Sequence, residues 1–378
     1  MRIAFLSVFY PYRGGISQFN ACVFRALEKT NEIKAFNFKR LYPKIFFPGK
    51  TQLVAENDTA DKIPSRQILD SINPISFSKT VSEIEKYNPD LLLIDFWMPF
   101  FAPCLGYISK KLRKKSIKTI AILSNVIPHE KKPGDINLTK YFLNRCDGFI
   151  VLADSVTEDL IKLKPGAKYR NHPHPNYEHF GEKIPKDKAR EILGIPIDKK
   201  VILFFGLIRR YKGLDLLIQA IGELPEDFFL LAAGEVYGKE DEYLNLIKET
   251  GIGNRVKFFN QYISDNEVAP YFSSADVCVL PYRSATQSGI IGVSYHFGLP
   301  VITTDVGGLR EVIEPFGTGT VISHADTSLI KKSILDYFQN RLYLQYSANI
   351  EKFKQIYTWE SFAMQIEELY YEIRIPSN

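Results

Sequence analysis

Acid-rich and metal-binding signatures are missing from this chain. It has no Asp-x-Asp, HExxH, GxGxxG or GxSxG motif, so the short patterns that announce a zinc hydrolase, a dinucleotide turn or a serine hydrolase are absent. Cysteine is scarce. Cys22, Cys104, Cys146 and Cys278 lie far apart without a CxxC pair, and free buried thiols in a reducing compartment are expected. Long apolar runs are also missing. The longest uncharged tract, "FWMPFFAPCLGYI" (96–108), carries two prolines and falls short of the roughly 20 residues a membrane helix needs. "MRIAFLSVFYP" (1–11) reads as a first strand rather than a leader. The net charge of +5 is mild. It suits anionic small molecules or lipid head groups, and no nucleic acid partner is expected without denser basic stripes.

What is present is alternation. A chain of 378 residues with 13% aromatics is expected to form two domains with large cores. In the first half "RIAFLS" (2–7), "DLLLID" (90–95), "TIAILS" (119–124) and "GFIVLA" (148–153) are short apolar runs, with helical periodicities between several of them. Residues 169–185, rich in proline and histidine, read as a connection. A second set follows: 201–206, 228–234, 255–259, 276–282, 300–304 and 318–321. Continuous apolar strands separated by helices predict parallel sheets covered on both faces. Two such sets predict an α/β chain of two Rossmann-like domains with a cleft between them, ligands lying beyond the carboxyl ends of the strands. The last segment places Phe362, Ile366, Leu369, Tyr370 and Ile373 at helical spacing.

Four strand-to-helix loops are candidates for chemistry. In "PYRSATQSG" (281–289) a run of hydroxyls and an amide contains no carboxylate. A Ser-Gly at a helix start suits a phosphate, which an acid would repel. Thr286, Gln287, Ser288 and Gly289 are the candidates, and plain capping or turn roles for the hydroxyls remain open. In "FFGLIRRYKG" (204–213) a strand ends at Gly206, and Arg209, Arg210 and Lys212 follow; three cations there fit a polyanion, against the ordinary solvated use of such residues. Gly14-Gly15 opens the first helix, where the backbone can pass close to a phosphate or sugar or serve turn geometry alone. Ser124, Asn125, His129 and Glu130 end another strand, and His129 beside Glu130 is a candidate proton-handling pair. "KIFFPGKT" (44–51) fails as a phosphate loop because Lys44 replaces the first glycine. His172 and His174 in "HPHP" lack a partner set for metal, and structural use is expected. Basic-aromatic residues 37–51 and the basic run 108–118 suit peripheral contact with an anionic membrane, a solvated helix face being the other reading of the second.

In order and spacing, Gly14-Gly15, "FFGLIRRYKG" and "GLPVITTDVGGLREVI" (298–313) resemble the family 4 glycosyltransferases of the GT-B fold (glycosyl transferases group 1) over essentially the whole chain. "NVIPHEKKPGD" (125–135), "PHPNYEHFGE" (173–182) and "PYRSATQSG" look like a bacterial subgroup. The resemblance implies an acceptor-side domain at 1–175 and a donor-side domain at 176–358, with a helix at about 359–378 packing back on the first. It implies a cytoplasmic enzyme, at the inner face of the membrane, that moves a sugar from a nucleotide diphosphate sugar to a glycan or lipid-linked acceptor. The transfer would retain configuration, need no metal or other cofactor, and serve cell-surface polysaccharide synthesis.

The chain departs from the family at the Glu-x7-Glu acids, which fall at Ala285 and Val293. The family's active-site histidine aligns with Ser124, and its arginine after the second-loop glycine is Leu207 here. Arg209 and Lys212 are therefore assigned to the leaving diphosphate, with Gly206, Thr286, Gln287, Ser288, Gly289, Gly14 and Gly15 around the donor. Ser124, Asn125, His129 and Glu130 are assigned to the sugar or acceptor. With both acids absent, a non-catalytic subunit of the same fold that binds a partner or lipid stays open, as does a nucleotide-sugar epimerase.

Overall fold

The computed structural model describes residues 1–43, 51–54, 60–127, 132–177 and 180–374. It divides into two units. One starts at Met1, includes Ala60–His174 and resumes at Tyr357; the other contains Pro175–Ile356.

The first unit holds a seven-stranded sheet: β1 (Arg2–Ser7), β2 (Glu32–Arg40), β3 (Ser65–Asp70), β4 (Leu91–Phe96), β5 (Lys118–Leu123), β6 (Gly148–Val151) and β7 (Tyr169–Asn171), in the order β3-β2-β1-β4-β5-β6-β7. The second holds six strands: β8 (Lys200–Phe205), β9 (Phe228–Ala233), β10 (Val256–Phe259), β11 (Val277–Leu280), β12 (Val301–Thr304) and β13 (Gly319–Ile322), in the order β10-β9-β8-β11-β12-β13. Every pairing is parallel. Both faces of such a sheet are covered, so its central strands are continuous apolar runs. β4 "LLLIDF" and β9 "FFLLAA" are buried at every position. In each sheet the order reverses once, between β1 and β4 and between β8 and β11. That reversal opens a crevice at the strands' carboxyl ends.

The apolar runs of the sequence become β1, β4, β5, β6 and the whole second sheet. β2, β3 and β7 were not anticipated, because polar and charged residues break up their apolar runs, "EIKAFNFKR", "SRQILD" and "YRN". β3 buries only Ile68 and Leu69. This corrects the surface reading of 37–51: Asn37 and Phe38 are 0% exposed inside β2, with the Phe38 ring 5.3 Å from Phe101. Tyr42 stacks on Phe100 at 5.7 Å, and 44–50 lie outside the described residues. Much of 108–118 ends the helix Ala102–Arg113, which turns Ile108 and Leu112 inward and leaves Lys110, Lys111 and Arg113 exposed beside its negative dipole end.

The helix Trp359–Arg374 belongs to the first unit. Its buried stripe includes Phe362, Ile366, Leu369, Tyr370 and Ile373. Leu369 presses on β6 at Gly148, where a Cβ would lie 3.1 Å from the leucine. Glu367 accepts from Thr30 Oγ1 at 2.7 Å and Asn31 Nδ2 at 2.6 Å, and Glu368 pairs with Arg170 at 2.9 Å. Leu369 is 0% exposed, so Leu369→Ala should destabilise the first unit by about 2–5 kcal/mol. Urea unfolding followed by circular dichroism checks this; an unshifted midpoint would contradict the packing.

Candidate functional site

In the second unit the crevice lies where the chain leaves β8 and β11. β8 is followed by Gly206, which has φ +100°. A Cβ there would sit 3.2 Å from Ile290 and 3.4 Å from the ammonium of Lys212, so glycine keeps the seat open. A single helical turn, Arg210–Lys212, leads to Gly213 at φ +72°. A Cβ on Gly213 would fall 2.0 Å from the Pro281 carbonyl oxygen just past β11. Only glycine lets the two loops come this close.

Arg283 fastens them. Its N–H donates to Tyr211 O at 2.7 Å, and its guanidinium donates to Arg210 O at 2.8 Å and to both Asp215 oxygens at 2.8 and 2.6 Å. Its charge is thus matched by Asp215.

The polar loop 284–288 rests on the turn after β12. Gly308 N–H donates to Thr286 O at 2.8 Å, and a Cβ on Gly307 would meet Ala285 O at 2.2 Å. Ser288 is the N-cap of the helix Gly289–His296, yet its side chain makes no capping bond. Its hydroxyl lies 3.3 Å from Tyr282 Oη, so the first N–H groups of this helix keep their partial positive charge for another acceptor. Position 285 is alanine, and Val293 is buried, so no acid stands where the resemblance places two.

Lys212 is half-buried. Among the described residues its ammonium makes no hydrogen bond and no ion pair; it lies over the Tyr282 ring, 5.4 Å from the centroid. Desolvation, followed by the neighbouring Arg209, pushes its pKa down to about 8, which leaves it mostly charged at neutral pH. Arg209 is half-buried, its guanidinium 5.6 Å from the Tyr211 ring centroid. Gly206, Arg209, Lys212, Thr286, Gln287, Ser288 and Gly289 therefore line the ends of two adjacent strands. The chemistry on offer is attraction of a desolvated anion by fixed cations and amides.

In the first unit, Gly14 has φ +107° at the start of the helix Gly15–Leu27, and a Cβ at Gly14 or Gly15 would meet nothing within 4 Å. Asn37 holds the preceding loop by donating to Phe9 O at 3.1 Å and Tyr10 O at 2.9 Å. Ser124 follows β5, and its hydroxyl donates to Asp95 Oδ1 at 3.1 Å. Asn125 beside it is half-buried. His129 and Glu130 lie outside the described residues.

Asp95 was missed by sequence reasoning. It is a single acid near the end of an apolar strand, 0% exposed, and burial pushes its carboxyl up to about 7 against the opposing hydrogen bonds from Ser124 and Asn20. Asn20 in turn donates to Ser7 Oγ at 2.8 Å and Val8 O at 3.1 Å. The only signal in the sequence was that one charge inside the strand "LLLIDF".

The two histidines of "HPHP" have structural surroundings. His172 is 2.6 Å from Pro173 O and 2.9 Å from Ser361 Oγ, and His174 packs on Phe19 at 5.0 Å and Trp359 at 5.8 Å. Among the described residues no group of three His, Cys, Asp or Glu is placed to hold a metal ion, and no helix is long and apolar enough to cross a membrane.

Residues 185–354 match the family described as glycosyl transferases group 1. A D-inositol 3-phosphate glycosyltransferase of Xylanimonas cellulosilytica is 28% identical over 191 residues, covering 48% of this chain and 46% of that protein. The chain thus spans about half the length of the curated relatives it matches. Among solved structures, sucrose-phosphate synthase of Thermosynechococcus elongatus superposes with a TM-score of 0.75 at 20% identity, covering 98% of both chains. Anabaena HepE, solved in complex with UDP, gives 0.77 at 17% identity over 98% of this chain and all of its own. The fold is GT-B.

Two predictions follow from the geometry. Gly213→Ala combines a left-handed φ with a clash against backbone, and should destabilise the second unit by about 3 kcal/mol or more, read as a lowered urea midpoint. Asp95 keeps its proton up to about pH 7 in the folded state, whereas the unfolded chain releases it near pH 4. Stability therefore falls as pH rises through that window, and the full cost is present above it. Asp95→Asn should gain roughly 5–10 °C in Tm at pH 8 relative to its own difference from wild type at pH 5. An equal difference at both pH values would contradict a buried, protonated Asp95.

Proposed function

Because residues 185–354 match the family described as glycosyl transferases group 1, we propose a retaining, metal-independent glycosyltransferase of the family 4 type. It moves a hexosyl group from a nucleotide diphosphate sugar to a glycan or lipid-linked acceptor in cell-surface polysaccharide synthesis. The observation that carries this reading is the Lys212 ammonium, without an acidic partner among the described residues, beside the uncapped start of the helix Gly289–His296.

In the transfer, the bond between the sugar's anomeric carbon and the diphosphate oxygen breaks, and its electron pair stays on the diphosphate. Lys212, Arg209 and the N–H groups at Ser288-Gly289 steady that growing charge. They are fixed before the reaction, so no reorganisation is needed when the charge appears. Retention brings the acceptor hydroxyl to the face the leaving group departs from, so the departing oxygen can take the hydroxyl's proton while the new bond forms. We assign the acceptor side to the first unit, through Ser124, Asn125 and Gly14-Gly15, with His129 and Glu130 as further contacts. The exposed Lys110, Lys111, Lys114 and Lys115 support peripheral contact with anionic lipid, and four free cysteines support a cytoplasmic setting. The complex of Anabaena HepE with UDP makes UDP the first nucleotide to test.

A thermal-shift panel of UDP, GDP, ADP and their sugars should show stabilisation by one nucleotide, with slow donor hydrolysis in the absence of acceptor. Silence across the panel would favour the non-catalytic subunit that the missing acids keep in view, and an epimerised donor would favour the epimerase. Lys212→Ala should lower turnover roughly 100- to 1000-fold with the fold intact. Near-normal transfer would remove the anion site, and activity lost to chelator but restored by manganese would refute metal independence.

A further inference from the structure

A desolvated ammonium in a protein is ordinarily held by a carboxylate. Lys212 is held otherwise. A carboxylate would anchor this lysine well but would also cancel the charge that a phosphate is to meet. An aromatic face attracts a cation through its quadrupole and brings no formal negative charge. The ring of Tyr282 supplies such a face, its centroid 5.4 Å from the Lys212 ammonium.

That ring is itself rigidly placed. Tyr282 is 2% exposed, its carbonyl accepts from Thr304 Oγ1 at 2.5 Å, and its neighbour Arg283 is tied to Tyr211 O at 2.7 Å and to Asp215. Its hydroxyl lies 3.3 Å from the hydroxyl of Ser288, the N-cap of the helix Gly289–His296. One side chain thus touches both halves of the anion seat, the lysine with its face and the helix start with its edge.

We propose that Tyr282 is a positioning residue that seats Lys212 and Ser288 for a diphosphate, holding the lysine by an aromatic face in place of a carboxylate. This rests on the donor-site reading above. Among the described residues, the titratable groups that face Lys212 are Arg209, Cys278 and Tyr282. Arg209 carries a fixed charge, burial pushes the Cys278 thiol up to about 12, and burial raises the Tyr282 phenol as well. Lys212 is therefore the group of this seat that changes charge between pH 7 and 9.5. UDP binding should weaken as pH rises through about 8.

The test is calorimetric titration of the full chain with UDP, and separately with inorganic pyrophosphate, from pH 7 to 9.5. Tyr282→Leu should raise Kd about 3- to 30-fold at pH 7 and move the midpoint of the pH dependence to lower pH. Tyr282→Phe keeps the face and should leave that midpoint in place. In a Lys212→Met background, Tyr282→Leu should cost much less than in wild type, because the face then has no cation to hold. If Tyr282→Leu is unfolded by circular dichroism, pentafluorophenylalanine at position 282 keeps the ring and reverses its face, and the same loss is expected relative to Tyr282→Phe. Wild-type affinity and midpoint in the variant that lacks the face would overturn the role of the ring while leaving the donor site standing. A wild-type chain that binds neither UDP nor pyrophosphate would overturn both.

Discussion

The proposed donor site depends on keeping a lysine charged and desolvated, with no acidic partner among the described residues. Lys212 meets all three conditions, and each has a structural cause. Burial removes water, the Tyr282 face provides attraction without neutralisation, and the adjoining loops supply hydroxyls and amides in place of acids. The polar loop 284–288 could not carry carboxylates without cancelling the same charge. Ala285 and Val293 stand where the resemblance places two acids, so neither position adds negative charge to the proposed seat.

Sheet order decides where that seat can be. β8 and β11 are neighbours although far apart in sequence, and their connections part at the reversal of strand order. Two loops some seventy residues distant are thereby placed side by side, and the contact of Gly213 with the Pro281 carbonyl, with Arg283 bound to Asp215, holds them there. Glycine is required because the approach is backbone to backbone, with no room for a Cβ.

The first unit repeats the strand order with a different polar content. At its reversal stands a buried acid, Asp95, its pKa raised by burial and its carboxyl connected through Ser124 and Asn20 to the loops after β5 and β1. An uncharged carboxyl accepts and donates hydrogen bonds without attracting a cation. The two switch points of the chain thus differ in polar content: one gathers cations, the other a hydrogen-bonding network around a buried carboxyl.

The sequence by itself determined both parallel sheets' central strands, since burial on two faces demands unbroken apolar runs. It also marked the strand-end loops of glycine, cations and hydroxyls on which the proposed anion site rests. Strands β2, β3 and β7 escaped it because polar and charged residues interrupt their apolar runs, and 37–43 read as surface for that reason. Only the tertiary structure decided which cation is available. Arg283 and Lys212 look alike in sequence, yet one faces Asp215 and the other an aromatic ring, and that difference lies in distances between residues whose separation along the chain says nothing of their contact. Asp95 was undecided for the same reason: an acid's proton is set by its surroundings, and those are assembled from three strands and a helix.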